Sequence, residues 1–193
     1  MASGSASNAP GDRQEQILDA VLHLLADQGV AGISHRSVAR EAGVAHGLVG
    51  YYYDDKVGLI AAALRRIGEE DVDLIEVDAA LEPMERLRLA LRRVADPEFL
   101  TTDYLSRRLQ LWSLANADTQ FDEINAEAHR RYRQALAALI RAARPDLSAT
   151  ECRRRAADIN VVQNGLWVTA LLGLDRPSVE RAIERCEEIA LAD

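Results

Sequence analysis

The sequence lacks the marks of secreted, membrane-spanning and metal-binding proteins. It has two cysteines among 193 residues, Cys152 and Cys186, and neither lies in a CxxC motif or a zinc-type spacing. We therefore expect reduced thiols, not a disulfide scaffold. No apolar run reaches the ~20 residues of a membrane-spanning helix. The first sixteen residues lack the apolar segment of a signal peptide. These absences predict a cytoplasmic protein that has no metal, no cofactor and no membrane partner.

An excess of basic charge is also missing. The formal net charge is -8, and residues 1–60 contain four Lys or Arg against seven Asp or Glu. A basic patch is the usual electrostatic signature of a nucleic-acid-binding protein. The bulk composition therefore counts against DNA as a partner, and a DNA-binding function has to rest on local geometry and local charge.

Catalytic motifs are absent as well. None of the four histidines follows a glutamate by three residues, the spacing of di-iron sites in helical bundles, and none belongs to an HExxH motif; they are His23, His35, His46 and His129. No nucleophile elbow or phosphate-binding loop occurs. We do not expect an enzyme, and a helical-bundle enzyme is the weakest alternative.

Alternating strand patterns are lacking, whereas helical periodicity is present along the chain. One apolar stripe, which ends before Gly29, consists of Ile17, Val21, Leu24 and Leu25. An all-α fold is predicted, with about nine helices near 12–28, 35–42, 45–52, 54–78, 83–95, 98–117, 119–143, 149–173 and 176–191. We expect a disordered leader over 1–11, a three-helix domain over 12–54, and an antiparallel helical bundle over 55–193.

The second and third predicted helices have the spacing of a helix-turn-helix. Ala39 is small where the two helices approach each other, and Gly43 provides a turn position that favours positive φ. Val49 then packs the third helix onto the second, and Ser34 is placed to cap the second helix. This arrangement predicts a DNA-binding motif, for which a helical protein-interaction module is the alternative.

From Ile17 to Leu64 the chain resembles the N-terminal domain of TetR-family transcriptional regulators. The resemblance rests on the apolar first helix, "GVAGIS", "VAREAGVAHGLV" and the ending "YYDDK". Further along, "QLWSLANAD" and "NGLWVTALLG" resemble the C-terminal domains of the BetI-like subgroup. Gly50 departs from the family, which commonly has an aromatic residue at this position.

The resemblance assigns DNA contacts by position. Residues that would face the major groove or its rim are Ala45, His46, Gly47, Leu48, Tyr51 and Tyr52. Those that would meet phosphates are Ser34, His35, Arg36 and Lys56. Neighbouring helical residues lie about 100° apart, so Tyr53 is expected to turn inward while Tyr51 and Tyr52 point outward. Gly47 and Gly50 indicate close backbone approach to a partner, because glycine inside a helix costs about 1 kcal/mol.

The segment from Val161 to Leu174 is apolar around nearly its whole circumference, so it is expected to be buried on more than one side. The resemblance implies a homodimer formed by the last two helices. The candidate interface residues are Val162, Leu166, Ala170, Val179 and Ile183. Gly165, Ala170 and Gly173 would permit close packing there. A central core helix without a dimer role is the alternative.

The middle helices are candidates for enclosing a small-molecule pocket with aromatic walls and a few polar groups. The candidate residues are Tyr104, Trp112, Asn116, Gln163 and Trp167. With 5% aromatic residues, no aromatic cage for a quaternary ammonium ligand is evident from the sequence. Together with the resemblance, these features predict a ligand-responsive, homodimeric DNA-binding regulator, a repressor released from a palindromic operator by an inducer.

Overall fold

A computed structural model describes residues 10–114, 118–173 and 175–192, and within these ranges the chain forms helices and no strands. The helices are α1 (Pro10–Gln28), α2 (His35–Glu41), α3 (His46–Tyr52), α4 (Lys56–Ile75), α5 (Pro83–Arg93), α6 (Thr102–Ser113), α7 (Thr119–Ala143), α8 (Ala149–Leu171) and α9 (Arg176–Leu191). The predicted all-α class is therefore confirmed. Short 3₁₀ turns occur at Val30–Gly32 and Pro97–Phe99. Within the described ranges, none of the helices combines the length and apolarity that crossing a membrane requires.

The chain divides into two compact units, one up to Leu64 and one from Arg65 onward. The predicted leader over residues 1–11 mostly lies outside the described residues, but α1 already begins at Pro10. Proline is suited to the first turn of a helix, because its missing N–H has no intrahelical acceptor there. The first helix is therefore longer than its apolar stripe indicates.

The first unit is built around the apolar stripe of α1. Its four members are buried, and the other elements of the unit add buried apolar side chains to them, among them Ile33, Val38, Val49 and Leu59. Gly29 has a φ of 66°, and its N–H donates to Leu25 O over 3.0 Å, which ends α1 as the sequence predicts.

The second unit packs α8 against α6, α7 and α9, and α5 against α7 and α9. Its core includes the side chains of Leu91, Leu136, Ile159 and Trp167. Connections between the helices are short, and side-chain caps begin several of them: Thr101 for α6, Asp118 for α7, Ser148 for α8 and Asp175 for α9.

Two arginines fix the end of α9 against the start of α8. Arg155, which is buried, donates from Nη1 to Ala190 O over 3.1 Å and to Ala192 O over 2.7 Å. Arg144 donates to Leu191 O and Ala192 O over 2.7 and 2.8 Å. Cationic donors at a helix C-terminus satisfy carbonyl groups that have no intrahelical partner. The last two helices are thereby held as one packed pair.

Candidate nucleic-acid interface and ligand site

Helices α2 and α3 form a tight helix-turn-helix. The turn passes through Gly43, whose φ of 63° is the left-handed conformation that favours glycine. The Val44 N–H donates to Ala39 O over 3.0 Å across the turn. Ala39 and Val49 are both buried, so the second and third helices meet through them. The predicted conformation of Gly43 and the burial of this pair are confirmed.

A capping box holds the start of α2. Ser34 Oγ accepts from the Ser37 backbone N–H over 3.1 Å, and the Ser34 N–H donates to Ser37 Oγ over 2.9 Å. The predicted cap by Ser34 is therefore confirmed, and its hydroxyl is engaged within the chain.

The face of α3 that points away from the first unit exposes the residues assigned to the major groove. His46, Gly47 and Tyr51 are exposed, and Tyr51 retains 80% of its accessible surface. Ala45 precedes them as the exposed N-cap residue, whereas Leu48 and Tyr52 are half-buried at the edges of this face. The exposed residues form one continuous surface because α3 has a single buried side, the side of Val49.

Tyr53 is buried, as expected from its rotation relative to its two neighbours. Its hydroxyl accepts from Gln14 Nε2 of α1 over 3.4 Å. Burial raises the pKa of this phenol above its ordinary value, with the hydrogen bond from Gln14 acting in the opposite direction. Tyr53 thus ties the end of α3 to α1 and remains a neutral hydrogen-bonding group.

Gly47 and Gly50 have no structural role inside the chain that requires glycine. A Cβ atom built on either one meets no other atom of the described residues within 4 Å, and both residues are exposed. Helix-interior glycine costs about 1 kcal/mol relative to alanine. The absence of side chains here leaves the α3 backbone open to close approach from outside.

The residues assigned to phosphates lie at the starts of α2 and α4. Arg36 and Lys56 are exposed. His35 is half-buried, and its ring lies edge-on to that of His46 with the ring centres 6.2 Å apart. The two histidines therefore form one group at the starts of α2 and α3. The buried Nε2 of His35 has no hydrogen-bond partner among the described residues.

Local charge on the helix-turn-helix has the opposite sign to the whole chain. Residues 34–53 contain Arg36 and Arg40 against a single acidic residue, Glu41, which gives two minus one or a net +1. Glu41 Oε1 lies 2.5 Å from Nδ1 of His23 on α1. The acidic excess of the first sixty residues thus comes from outside this segment. The net charge of the chain therefore does not predict the charge of the helix-turn-helix.

The second unit gathers the predicted pocket residues into an aromatic cluster, which we define as Phe99, Tyr104, Trp112 and Trp167. The ring centres of Tyr104 and Trp167 are 6.3 Å apart, as are those of Trp112 and Trp167, and Phe99 lies 5.2 Å from Tyr104. The rings come from separate parts of the chain, so the sequence did not indicate that they lie close together. The rings pack against one another, and the expectation that the chain has no cage for a quaternary ammonium ligand stays a prediction.

Polar groups accompany the aromatic cluster. Buried Gln163 accepts from the Tyr132 hydroxyl over 2.7 Å, and Trp167 Nε1 donates to Val94 O over 2.9 Å. Burial raises the pKa of Tyr104 and of Tyr132, so both phenols stay protonated at neutral pH. The fifth predicted pocket residue, Asn116, lies outside the described residues.

Arg108 is a central member of this site that the sequence analysis missed. It is 1% exposed, and its Nε and Nη2 donate to Asp71 Oδ1 over 2.8 and 2.5 Å. Its Cζ atom lies 3.8 Å from the ring centre of Tyr104 and 5.3 Å from that of Trp167. A spacing of four residues places Tyr104, Arg108 and Trp112 on one helix face. This spacing could have indicated from the sequence that Arg108 belongs to the site.

The predicted dimer residues need one correction. Leu166 and Ile183 pack in the core of their own unit, so their side chains are not available to a second chain. Val162, Ala170 and Val179 are half-buried. The solvent-facing side of α8, which we call the α8 apolar face, comprises Val161, Gly165, Val168 and Leu172.

Val161, Val168 and Leu172 retain 71, 38 and 80% of their accessible surface. Gly173 has a φ of 94° and ends the helix, so its glycine is required by conformation.

Family models match both units. Residues 17–63 match the model described as bacterial regulatory proteins, tetR family, and residues 83–192 match the BetI-type transcriptional repressor, C-terminal model. The second match alone spans more than half of the 193 residues.

Individual proteins agree with these matches. The HTH-type transcriptional regulator BetI of Paraburkholderia phytofirmans is 28% identical over 166 residues, which cover 83% of this chain and 82% of that protein. A transcriptional regulator from Pseudomonas aeruginosa PAO1 shares the fold with a TM-score of 0.82 at 22% identity, over 95% of this chain and 91% of that one.

A regulator from Saccharomonospora viridis, solved in complex with choline, has a TM-score of 0.71 at 22% identity, over 92% of this chain and 95% of that one.

Proposed function

This chain belongs to the tetR family of bacterial regulatory proteins, with a BetI-type C-terminal domain, and from that membership we propose that it is a homodimeric repressor released from its operator by a small molecule. It is a DNA-binding transcriptional regulator, and its family consists of regulators, not enzymes. A regulator of transcription works on chromosomal DNA, so we assign this one to the cytoplasm.

The observation that carries the proposal is the exposed face of α3. Tyr51 on this helix is 80% exposed and has two glycines beside it. This surface is therefore accessible to a binding partner. An α-helix fits the major groove of DNA, where its side chains reach base edges. Tyr51 has a flat apolar body and a hydroxyl that can donate to a base or a phosphate. Arg36 and Lys56 supply positive charge for the phosphates on either side.

Dimerisation would make DNA binding tighter and more specific than a single helix-turn-helix can achieve. Two copies of α3 about 34 Å apart would contact successive major grooves of a palindromic site. The α8 apolar face is a surface of the kind that a second copy would cover, since it presents exposed valine and leucine side chains next to a glycine. Two linked modules bind far more tightly than one.

Ligand response would act through the aromatic cluster. The choline complex of the S. viridis neighbour supports a small-molecule site in a bundle of this fold. In this chain Arg108 holds Asp71, which is a residue of α4, and α4 is a continuous helix from Lys56 to Ile75. A ligand that repositions Arg108 would therefore shift the population of α4 conformations, and with it the DNA affinity.

A selection of genomic fragments by the purified protein tests this proposal. We expect enrichment of one or a few fragments that contain an inverted repeat, bound with an affinity that falls steeply as salt increases. A protein-interaction module would show no enrichment of any sequence. A folded dimer that enriches no sequence would contradict the proposed function.

A further inference from the structure

Three buried nitrogen atoms next to the aromatic cluster lack a hydrogen-bond acceptor among the described residues. They are Arg107 Nε, Arg108 Nη1 and Gln163 Nε2. A buried donor without an acceptor destabilises the fold, and the cost is larger when the donor is charged. All three groups can donate from these nitrogens, whereas an arginine cannot accept. The cluster therefore has a surplus of donors.

These donors surround the same rings. Arg107 and Arg108 place their Cζ atoms 5.6 and 3.8 Å from the ring centre of Tyr104. Gln163 lies one helical turn before Trp167 on α8, and the Trp167 ring centre is 5.3 Å from Arg108 Cζ. Two of the unpartnered nitrogens thus belong to arginines beside the Tyr104 ring on α6, and the third lies one turn from Trp167 on α8.

The acidic groups near the cluster do not reach the three unpartnered nitrogens within hydrogen-bond distance. Asp71 Oδ1 accepts two hydrogen bonds from Arg108, and Gln163 Oε1 accepts from Tyr132. Glu70 Oε1 accepts from Arg66 over 3.3 Å, and its Oε2 lies 3.8 Å from Arg108 Nη1. Among the described residues, no acceptor lies within hydrogen-bond distance of Arg107 Nε, Arg108 Nη1 or Gln163 Nε2.

A cationic ligand does not fit these features. The face of Tyr104 that would hold a quaternary ammonium group is covered by the guanidinium of Arg108. The charges that act on Tyr104 are already balanced, with Arg107 and Arg108 against Glu70 and Asp71. A second cation would have to displace Arg108 from Tyr104, and it would offer no acceptor to the unpartnered donors.

We infer that the effector of this regulator is a small carboxylate with an apolar or aromatic body, whose oxygens accept from Arg108 and Gln163 and whose body packs on Tyr104 and Trp167. The inference rests on the proposed ligand response and adds the chemical class of the ligand. Arginine is suited to this role because its planar donor pairs match the two oxygens of a carboxylate.

A matched series of probes tests the charge preference. Phenylacetate, phenylacetamide and benzyltrimethylammonium share a benzyl body and carry an anionic, a neutral and a cationic head group, and hexanoate replaces the ring with an alkyl chain. Trp112 and Trp167 are the only tryptophans of the chain, so intrinsic fluorescence of the full-length protein reports on the cluster without a label. We expect saturable changes with both carboxylates, and an affinity for phenylacetate at least tenfold above that for benzyltrimethylammonium.

Variants then locate the binding groups. The double change Arg108→Gln with Asp71→Asn replaces a charged pair by a neutral hydrogen-bonding pair, so that no lone charge is left buried. We expect this folded variant to bind phenylacetate about tenfold or more weakly, because a hydrogen bond to a charged group is lost. Gln163→Leu should weaken binding severalfold. Arg153→Gln, on the exposed side of α8, is the control and should bind as the wild type does.

The outcomes separate the inference from the proposed function. Equal or tighter binding of benzyltrimethylammonium would overturn the inference, as would the lack of a saturable change with either carboxylate at millimolar concentration. Wild-type affinity in the double variant would also overturn it. Binding of phenylacetate that requires Arg108 but leaves operator affinity unchanged would support the carboxylate site and refute the ligand response of the proposed function.

Discussion

At the scale of single residues, three consecutive tyrosines occupy three environments. Tyr51 is exposed, Tyr52 is half-buried with its ring 5.3 Å from that of Tyr51, and Tyr53 is buried against α1. Helical rotation of about 100° per residue accounts for the difference, so the burial of Tyr53 could be predicted from sequence. The exposed ring of Tyr51 is the one that is accessible to a partner outside the chain.

The glycines of α3 give a prediction in which stability and DNA affinity change in opposite directions. Gly47→Ala and Gly50→Ala should each raise the free energy of unfolding by up to about 1 kcal/mol, because nothing in the chain obstructs a Cβ there. Each should weaken DNA binding if the α3 backbone approaches DNA closely. Urea unfolding and operator titration measure the two effects.

Gly43→Ala is the matched control for these changes. Its φ of 63° makes alanine unfavourable, so this variant should lose about 1–2 kcal/mol of stability. A loss of stability in the α3 variants as well would contradict the absence of an internal role for Gly47 and Gly50.

Some residue roles could not be predicted. Arg108 contacts Asp71 across 37 positions of sequence, and no local pattern indicates which acidic residue an arginine will meet. Leu166 and Val161 are both apolar residues of a helix that is apolar nearly all round, so periodicity did not distinguish the core side from the exposed side. Contacts between helices decide such cases.

At the scale of helices, α4 and α7 meet at an unusually close contact. A Cβ atom on Gly68 of α4 would lie 2.6 Å from the Cβ of Ala128 on α7. The Ala128 methyl group cannot avoid this contact by changing rotamer, so a side chain added at position 68 would push the two helices apart. The glycine at position 68 is therefore required by packing, unlike Gly47 and Gly50.

The sign of a Gly68→Ala change should depend on residue 128. In the wild-type background we expect a loss of up to about 2 kcal/mol, since overpacking costs about 1–3 kcal/mol and the better helix former returns about 1 kcal/mol. In an Ala128→Gly background the same change should stabilise the protein by up to about 1 kcal/mol. Denaturant unfolding of the four proteins in this double-mutant cycle measures the coupling. Equal effects in both backgrounds would mean that the two helices do not meet at these residues.

Helix boundaries show where local signals compete. The sequence predicted one helix over 98–117, whereas the chain forms a 3₁₀ turn at Pro97–Phe99 and begins α6 at Thr102. The Thr101 side chain accepts from the Tyr104 N–H over 3.3 Å and so provides the true cap. Apolar periodicity finds that a helix exists, but capping residues determine its first turn.

At the scale of the whole molecule, a DNA-binding protein of net charge -8 has to overcome electrostatic repulsion from the DNA phosphates. The structure resolves part of this conflict, because residues 34–53 carry a net +1, with Asp54 and Asp55 following in the turn before α4. Two copies would double the contacts with phosphates. A dimer, as proposed above, would therefore help to overcome the net negative charge as well as provide specificity.

The α8 apolar face gives a direct test of dimerisation. Val161→Asp and Val168→Asp should each weaken self-association at least about a hundredfold, because a carboxylate would be buried without a partner in the interface. The isolated chain should stay folded, since both side chains are exposed in it. Sedimentation equilibrium measures the dissociation constant.

Leu89→Asp is the control, because Leu89 of α5 has an exposure close to that of Val168 and lies outside the α8 apolar face. This variant should remain a dimer. Unchanged self-association in the α8 variants would move the interface elsewhere on the chain.

The central claim, that the exposed face of α3 reads DNA, is tested most directly by operator affinity in variants of that face. We would titrate a labelled operator fragment with wild-type protein, His46→Ala, Tyr51→Ala and the control His23→Ala, whose histidine is exposed on α1, and would follow fluorescence anisotropy. Loss of a base or phosphate contact costs about 1–3 kcal/mol. The account predicts affinities reduced about tenfold or more for the two α3 variants, with wild-type helical content, and little change for His23→Ala. Wild-type affinity in both α3 variants would contradict it.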